Sequence, residues 1–253
     1  MAEGSLNVQD CIFVPLINFK KQKMKKSIIV IVFIAATAIV SFQSFTSNTN
    51  SKGEMQINSV SQSVVADAKT INFQNMQDAF KGETTASAKY AAYSKKAEEE
   101  GYHEIAMLFL AASKSEKIHA TNHKAVLGES DQKVPEIKPE FTVKSTKENL
   151  KDAITGEGYE VSTMYPGFMT NANTAGNQLA LVSLNYAYKT EQKHKAFYEK
   201  ALAALEGKTV KSLPTVYYVC PTCGNTYDTT PPSRCGISMT ASEKFVKVDK
   251  LNS

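Results

Sequence analysis

Asn75-Met-Gln-Asp-Ala-Phe-Lys-Gly-Glu83 is repeated as Asn149-Leu-Lys-Asp-Ala-Ile-Thr-Gly-Glu157, at an offset of 74 and with five of the nine positions identical. One residue of slippage later, Glu116-Lys-Ile-His119 aligns with Glu191-Gln-Lys-His194. Each half therefore carries a Glu on one segment and Glu-x-x-His on the next. From Ile71 to Glu206, Gly and Pro are sparse while Ala, Lys, Glu and Leu are frequent, which is a helical pattern. Gly101 separates a first helix from a second. Gly128 and the stretch 129–146, with Pro135 and Pro139, separate the second from the third, and Gly176 divides the third from the fourth. Pro166 lies inside the third pattern and predicts a kink there. Two such hairpins predict a four-helix bundle with approximate two-fold symmetry.

The inward stripe of each helix, followed in steps of three and four, contains a carboxylate near its middle. The first stripe runs Met76, Phe80, Glu83, Ser87, Tyr90. The second runs Ile105, Phe109, Ala112, Glu116, His119, His123, Val126. The third runs Leu150, Ile154, Glu157, then Glu160 or Val161, then Met164. The fourth runs Leu184, Ala187, Glu191, His194, Tyr198, Ala201, Leu205. Several ionised carboxylates buried together are too costly unless they are protonated or neutralised by cations. Glu-x-x-His puts an oxygen and a nitrogen ligand on adjacent turns of one helix face. One Glu from each of two helices, with Glu-x-x-His from each of the other two, is the di-metal carboxylate pattern of ferritin-like bundles. A single Glu-x-x-His is an ordinary surface spacing. Here two of the four His residues have it, in related places and on core stripes. His123 is expected beside the site rather than among its ligands, and Glu98-Glu-Glu100 reads as a solvated face.

The chain has 253 residues, 42% hydrophobic and 21% charged, enough for a sizeable core, and this excludes low-complexity and wholly disordered classes. The net charge of +4 is concentrated at the N-terminus, where Lys20, Lys21, Lys23, Lys25 and Lys26 face only Glu3 and Asp10. The folded part is nearly neutral, so no nucleic-acid partner is expected. The lysines precede an apolar run from Ser27 to Phe42, the order of a signal peptide. Met24-Lys-Lys-Ser would begin a conventional signal, with residues 1–23 as an upstream extension. An uncleaved membrane anchor is the alternative. The expected product is exported, periplasmic if the run is cleaved and membrane-tethered if it is not. The expected divisions are 1–45 for this address, 46–70 for a polar linker, 71–206 for the bundle, 207–214 for a second linker and 215–253 for a small β-rich domain.

That last segment changes character. Val216-Tyr-Tyr-Val-Cys220-Pro-Thr-Cys223-Gly-Asn reads as a strand entering a metal knuckle, and Cys235-Gly-Ile-Ser238 and a strand-like Phe245-Val-Lys-Val follow. The fourth position of the Cys-x2-Cys…Cys-x2-Ser pattern is Ser238, not Cys. Three outcomes stand open: a metal held regardless, an empty site with a Cys220–Cys223 disulfide, or another group or water in the gap.

Phe80-Lys-Gly-Glu83, Glu100-Gly-Tyr102, Glu116-x-x-His119-Ala, Gly156-Glu157-x-x-Glu160, Met164-Tyr-Pro-Gly-Phe168 and Glu191-x-x-His194 together resemble the rubrerythrin family, from about residue 71 to the C-terminus. The resemblance implies a ferritin-like four-helix bundle followed by a rubredoxin-like domain. It implies two non-haem iron ions bridged by Glu116 and Glu191. Glu83, with Glu160 or His119, would complete one iron, and Glu157 with His194 the other. Glu160 has no counterpart in the first half, where Ala86 aligns. By the resemblance, one iron moves between Glu160 and His119 as its redox state changes. Cys220, Cys223 and Cys235 would hold one further iron or a zinc. Tyr90 and Tyr165 stand where the family keeps tyrosines near the cluster, and core filling and proton donation or gating are both open for them. The implied activity is reduction of hydrogen peroxide with an electron-donor protein, in a homodimer. Iron oxidation for storage and a non-catalytic metal-binding bundle are the rival readings.

Overall fold

The computed structural model describes residues 51–130 and 133–251. Among the described residues, five α-helices and three short strands follow one another: α1 (Ser51–Glu99), α2 (His103–Gly128), α3 (Thr146–Tyr159), α4 (Tyr165–Thr174), α5 (Gln178–Glu206), β1 (Tyr217–Val219), β2 (Thr226–Tyr227) and β3 (Val246–Val248). The expected third helix is α3 and α4 joined by a single π turn, Glu160–Met164. The bundle is thus four helical rods, with one long crossover between α2 and α3, as in ferritin-like folds.

Both hairpin turns are built alike. Gly101 has φ +82° and Gly176 φ +69°, a conformation that costs other residues about 1–2 kcal/mol. In the first turn Gly101 N–H donates to Glu98 O and Tyr102 N–H to Ala97 O. In the second, Gly176 N–H donates to Asn173 O and Asn177 N–H to Ala172 O. These are paired Schellman closures of a helix C-terminus. Asn177 then caps α5, its side chain accepting from Ala180 N–H. A capping box of Ser145 and Glu148 starts α3. Glu100 also reaches the start of α3, its carboxylate accepting from Thr146 N–H at 2.9 Å, so it is not merely solvated.

Three expectations are corrected. α1 begins at Ser51, inside the segment read as a linker; between Ser51 and Thr70 there is no proline and only one glycine, so nothing breaks the helix. The break in the third rod is the π turn, and Pro166 lies just after it, in the first turn of α4, where its missing N–H is tolerated. The third stripe is fully buried only to Glu157: Glu160, Val161 and Met164 are half-buried, Met164 still packs against the core, and full burial resumes at Tyr165. The apolar run at 27–42 and the signal or anchor reading lie outside the described residues.

The carboxylate layer divides the core. On one side lie Tyr90, Phe109, Leu150, Tyr198 and Ala201, continuous with Tyr217, Val219 and Val248 of the strands. On the other side lie Met76, Phe80, Leu127, Tyr165 and Leu184. The strands form one antiparallel sheet in the order β2-β1-β3. Val219 pairs with both Thr226 and Val246. The β-rich module therefore shares a core with the bundle and lies against α2 and α5.

Candidate metal centres

Glu83, Glu116, His119, Glu157, Glu191 and His194 are all buried, at 2% exposure or less. They fall into two overlapping sets of converging ligand atoms. One is Glu83, Glu116, His119 and Glu191; the other is Glu116, Glu157, Glu191 and His194. Glu116 and Glu191 belong to both. His119 Nδ1 is 2.9 Å from Glu116 Oε2 and 2.8 Å from Glu191 Oε1. His194 Nδ1 is 2.9 Å from Glu116 Oε1 and 2.7 Å from Glu191 Oε2.

These approaches are not hydrogen bonds. Among the described residues, both oxygens of Glu116 and of Glu191, Oε2 of Glu83 and of Glu157, and Nδ1 of His119 and of His194 have no hydrogen-bond partner despite burial. Buried polar atoms left unsatisfied cost about 1–3 kcal/mol each. Lone pairs aimed at common points about 3 Å from one another match ligands on metal–ligand bonds of about 2.0–2.2 Å. The donor set is oxygen and imidazole nitrogen, which suits iron. The residues therefore fit two metal ions bridged by two carboxylates.

Charge tells the same story. Burial and the neighbouring carboxylates push Glu83 up to about 8, against the pull of His119. Burial drives Glu157 well above the carboxylate range, helped by Glu191 and Glu116. Burial opposes ionisation of Glu116 too, but His194 and His119 overcome it and hold its carboxyl near 2. Burial disfavours the charged imidazole of His194, and Glu116 and Glu191 outweigh it, raising the ring to about 10. Without metal, the cluster holds protons where cations would otherwise sit.

The far nitrogens of both histidines are fixed by the C-terminal module. His119 Nε2–H donates to Cys223 O at 3.0 Å, and His194 Nε2–H to Thr226 Oγ1 at 3.0 Å. Such contacts fix which nitrogen faces the metal. Ser115 Oγ donates to Gly224 O at 2.7 Å, and Asn122 Nδ2 to Thr222 O at 2.9 Å. A Cβ on Gly224 would overlap His119 Nε2 and lie 2.7 Å from Ser115 Oγ, so only glycine fits there. Thr226 and Gly224 escape a reading of ligands alone, because their role depends on where the module docks.

The tyrosines cross between halves. Tyr90 OH donates to Glu157 Oε1 at 2.6 Å, and Tyr165 OH donates to Glu83 Oε1. His123 lies behind the site, as expected: Nδ1 contacts Ser183 Oγ at 2.8 Å, and Nε2 lies 3.5 Å from Tyr165 OH. Burial lowers its pKa to about 3, so it is neutral. Glu160 is in neither ligand set. It opens the π turn beside the site. Glu160 is half-buried as a residue, and the loss of water around its carboxyl group, then the charges of Glu83, Glu157, Glu191 and Glu116, raise that carboxyl well above the usual range.

In the module, Cys220, Cys223 and Cys235 form a third converging set, and all three are free. Cys223 and Cys235 sulfurs are 3.5 Å apart. The disulfide alternative is not realised among them. The sulfur set suits one tetrahedral iron or zinc.

The rubrerythrin family model matches residues 74–202. The chain is 33% identical over 184 residues to rubrerythrin-2 of Clostridium acetobutylicum, covering 72% of this chain and 97% of that protein. It is 31% identical over 194 residues to nigerythrin of Nitratidesulfovibrio vulgaris, covering 74% and 93%. A solved structure of nigerythrin in its fully reduced, all-ferrous state superposes with TM-score 0.63 at 30% identity, covering 70% of this chain and 86% of that one. Buried carboxylates without partners, a His pair steered by a cysteine knuckle and these likenesses converge: this chain belongs to the rubrerythrin family, with a di-iron centre in its bundle and a rubredoxin-like metal module at its C-terminus.

Proposed function

We propose that the protein is a di-iron peroxidase that reduces hydrogen peroxide to water in defence against oxidative stress. The observation that carries this reading is the hydrogen bond from His119 to the carbonyl of Cys223. It joins the cysteine module directly to a residue of the bundle site. A reductase must be recharged after each turnover and benefits from such a link; an iron store does not. When bound, the two ferrous ions would supply the two electrons that, with two protons, turn one hydrogen peroxide into two waters.

In this reading Glu116 and Glu191 would hold both irons, Glu83 and His119 would complete the hold on one, and Glu157 and His194 on the other. Tyr90 and Tyr165 hold the two terminal carboxylates through their hydroxyls. Each hydroxyl is also a proton donor within reach of the site. Burial of every ligand keeps bulk water out. An external electron donor, a homodimer and export directed by the N-terminal segment belong to the same proposal.

Anaerobic stopped-flow of the iron-loaded, fully reduced protein tests it. Hydrogen peroxide is expected to oxidise the site much faster than oxygen does. Faster oxidation by oxygen would replace the proposal with ferroxidase activity, and no reaction with either would leave a structural metal site.

A further inference from the structure

The C-terminal module contains one backbone turn twice. In the first copy Gly224 N–H donates to Cys220 O at 2.9 Å, and Cys220 N–H to Asn225 O at 3.0 Å. In the second, Met239 N–H donates to Cys235 O at 3.0 Å, and Cys235 N–H to Thr240 O at 2.8 Å. The residue after the knuckle has positive φ in both, +77° at Gly224 and +60° at Met239. Cys220 thus corresponds to Cys235, and Cys223 to Ser238. Holding a methionine in the left-handed region costs about 1–2 kcal/mol. The second turn therefore keeps the knuckle shape against the preference of its own residue.

Ser238 occupies the place from which Cys223 presents its sulfur. Its Oγ is 3.3 Å from Cys220 Sγ, closing the gap left by the three cysteines. With metal–sulfur bonds of about 2.3 Å and a metal–oxygen bond of about 2.0–2.2 Å, tetrahedral geometry puts a sulfur and an oxygen ligand about 3.6 Å apart, a few tenths of an ångström beyond the observed approach. Thr240 Oγ1 lies 2.8 Å from Ser238 Oγ and itself donates to Thr222 Oγ1 at 2.7 Å, which orients the hydroxyl.

We propose that Ser238 Oγ is the fourth ligand of the module, so that Cys220, Cys223, Cys235 and Ser238 form a three-sulfur, one-oxygen site for a single tetrahedral metal ion. The harder oxygen favours the ferric over the ferrous state. With iron bound, the module is then a stronger reductant than a four-thiolate centre would be. This assignment holds whichever oxidant the bundle uses.

Cobalt(II) titration of the full chain tests the assignment, with cobalt standing in for iron or zinc. Thiolate-to-cobalt absorption distinguishes the module from the bundle site, which has no sulfur, and a Cys11→Ser background removes the one cysteine outside the module. The wild type is expected to bind one cobalt there with tetrahedral bands. Ser238→Cys should raise the thiolate absorption by about a third, from three to four sulfurs. In iron-loaded protein it should raise the reduction potential. Ser238→Ala should change the bands and weaken binding about tenfold or more, as loss of a supporting group around a metal commonly does. The proposal is overturned if Ser238→Ala keeps the wild-type bands and affinity, which would mean that water fills the position. It is equally overturned if the wild type shows no thiolate absorption, or if Ser238→Cys adds none. If Ser238→Ala loses its helical circular dichroism, Ser238→Cys alone decides.

Discussion

Tyr90 and Tyr165 each donate to a carboxylate from the opposite half of the repeat. The hydrogen bond does two things for a ligand at the cluster's edge. It orients the oxygen that faces metal, and it places a proton one atom from the reacting space. Burial and the nearby carboxylates raise both phenols well above their ordinary range, so both remain protonated donors. Replacing either by Phe leaves the shape and removes the proton. Tyr165→Phe and Tyr90→Phe are each expected to keep two irons per chain. Peroxide-driven oxidation of the reduced site should slow by about 100-fold, the low end of what a positioned acid supplies. Stopped-flow rates beside iron analysis check this. Wild-type rates in both variants would reduce the tyrosines to core filling. At this scale the ligands were legible because a buried carboxylate on an apolar stripe demands a cation. The tyrosines' partners were not, because they lie across the bundle and 67 and 82 residues away in sequence.

The two halves differ by one residue, and the difference has a place in the helices. Glu83 and Glu157 align at an offset of 74, whereas Tyr90 and Tyr165, Gly101 and Gly176, and His119 and His194 align at 75. The extra residue therefore enters between Glu157 and Tyr165, where the π turn Glu160–Met164 lies. A π turn is how a helix absorbs a single insertion, and such turns gather at functional sites. It brings Tyr165 back into the register that Tyr90 has, eight residues after its Glu instead of seven. It also starts at Glu160, the carboxylate without a counterpart in the first half. The slippage was visible in the repeat; the π turn was not, because helical periodicity cannot tell a wide turn from a kink and Pro166 drew the break one turn too late. In this structure His119 stands among the ligands and Glu160 outside them. Glu160→Ala is accordingly expected to bind ferrous iron as the wild type does. Its oxidised form, lacking a further anionic ligand for the more highly charged ions, should lose iron about tenfold more readily. Iron retained on a desalting column before and after peroxide treatment measures this. Equal retention in both states would assign Glu160 no part in holding metal.

Bundle and module form one mechanical unit, since Tyr217, Val219 and Val248 share a core with Phe109, Leu150 and Tyr198. Gly224 of the module lies tightly against His119 and Ser115 of the bundle. Gly224→Ala adds a Cβ at a left-handed position with no room for it, and about 2–4 kcal/mol of stability should be lost. Chemical denaturation measures that loss. The same variant should slow re-reduction of the oxidised bundle site by a donor acting through the module, while oxidation by peroxide changes less. The unit also carries charges that only metal reconciles, and this makes its stability depend on pH in an unusual sense. Without metal, Glu83 titrates near 8 rather than 4.5, and His194 near 10 rather than 6.5. The folded protein then holds protons that the unfolded chain releases, so the stabilisation is complete at low pH and is lost as pH rises through the folded values. Glu116, held near 2, acts in the opposite sense, but its change is complete below pH 4.5. The metal-free protein should therefore melt more than about 5 °C lower at pH 9 than at pH 6. Iron displaces those protons, and its binding tightens as pH rises. The gap in melting temperature between loaded and metal-free protein should accordingly widen from pH 6 to pH 9. A metal-free melting temperature that is level or rising over that range would show that the buried cluster is not held by protons in the absence of iron.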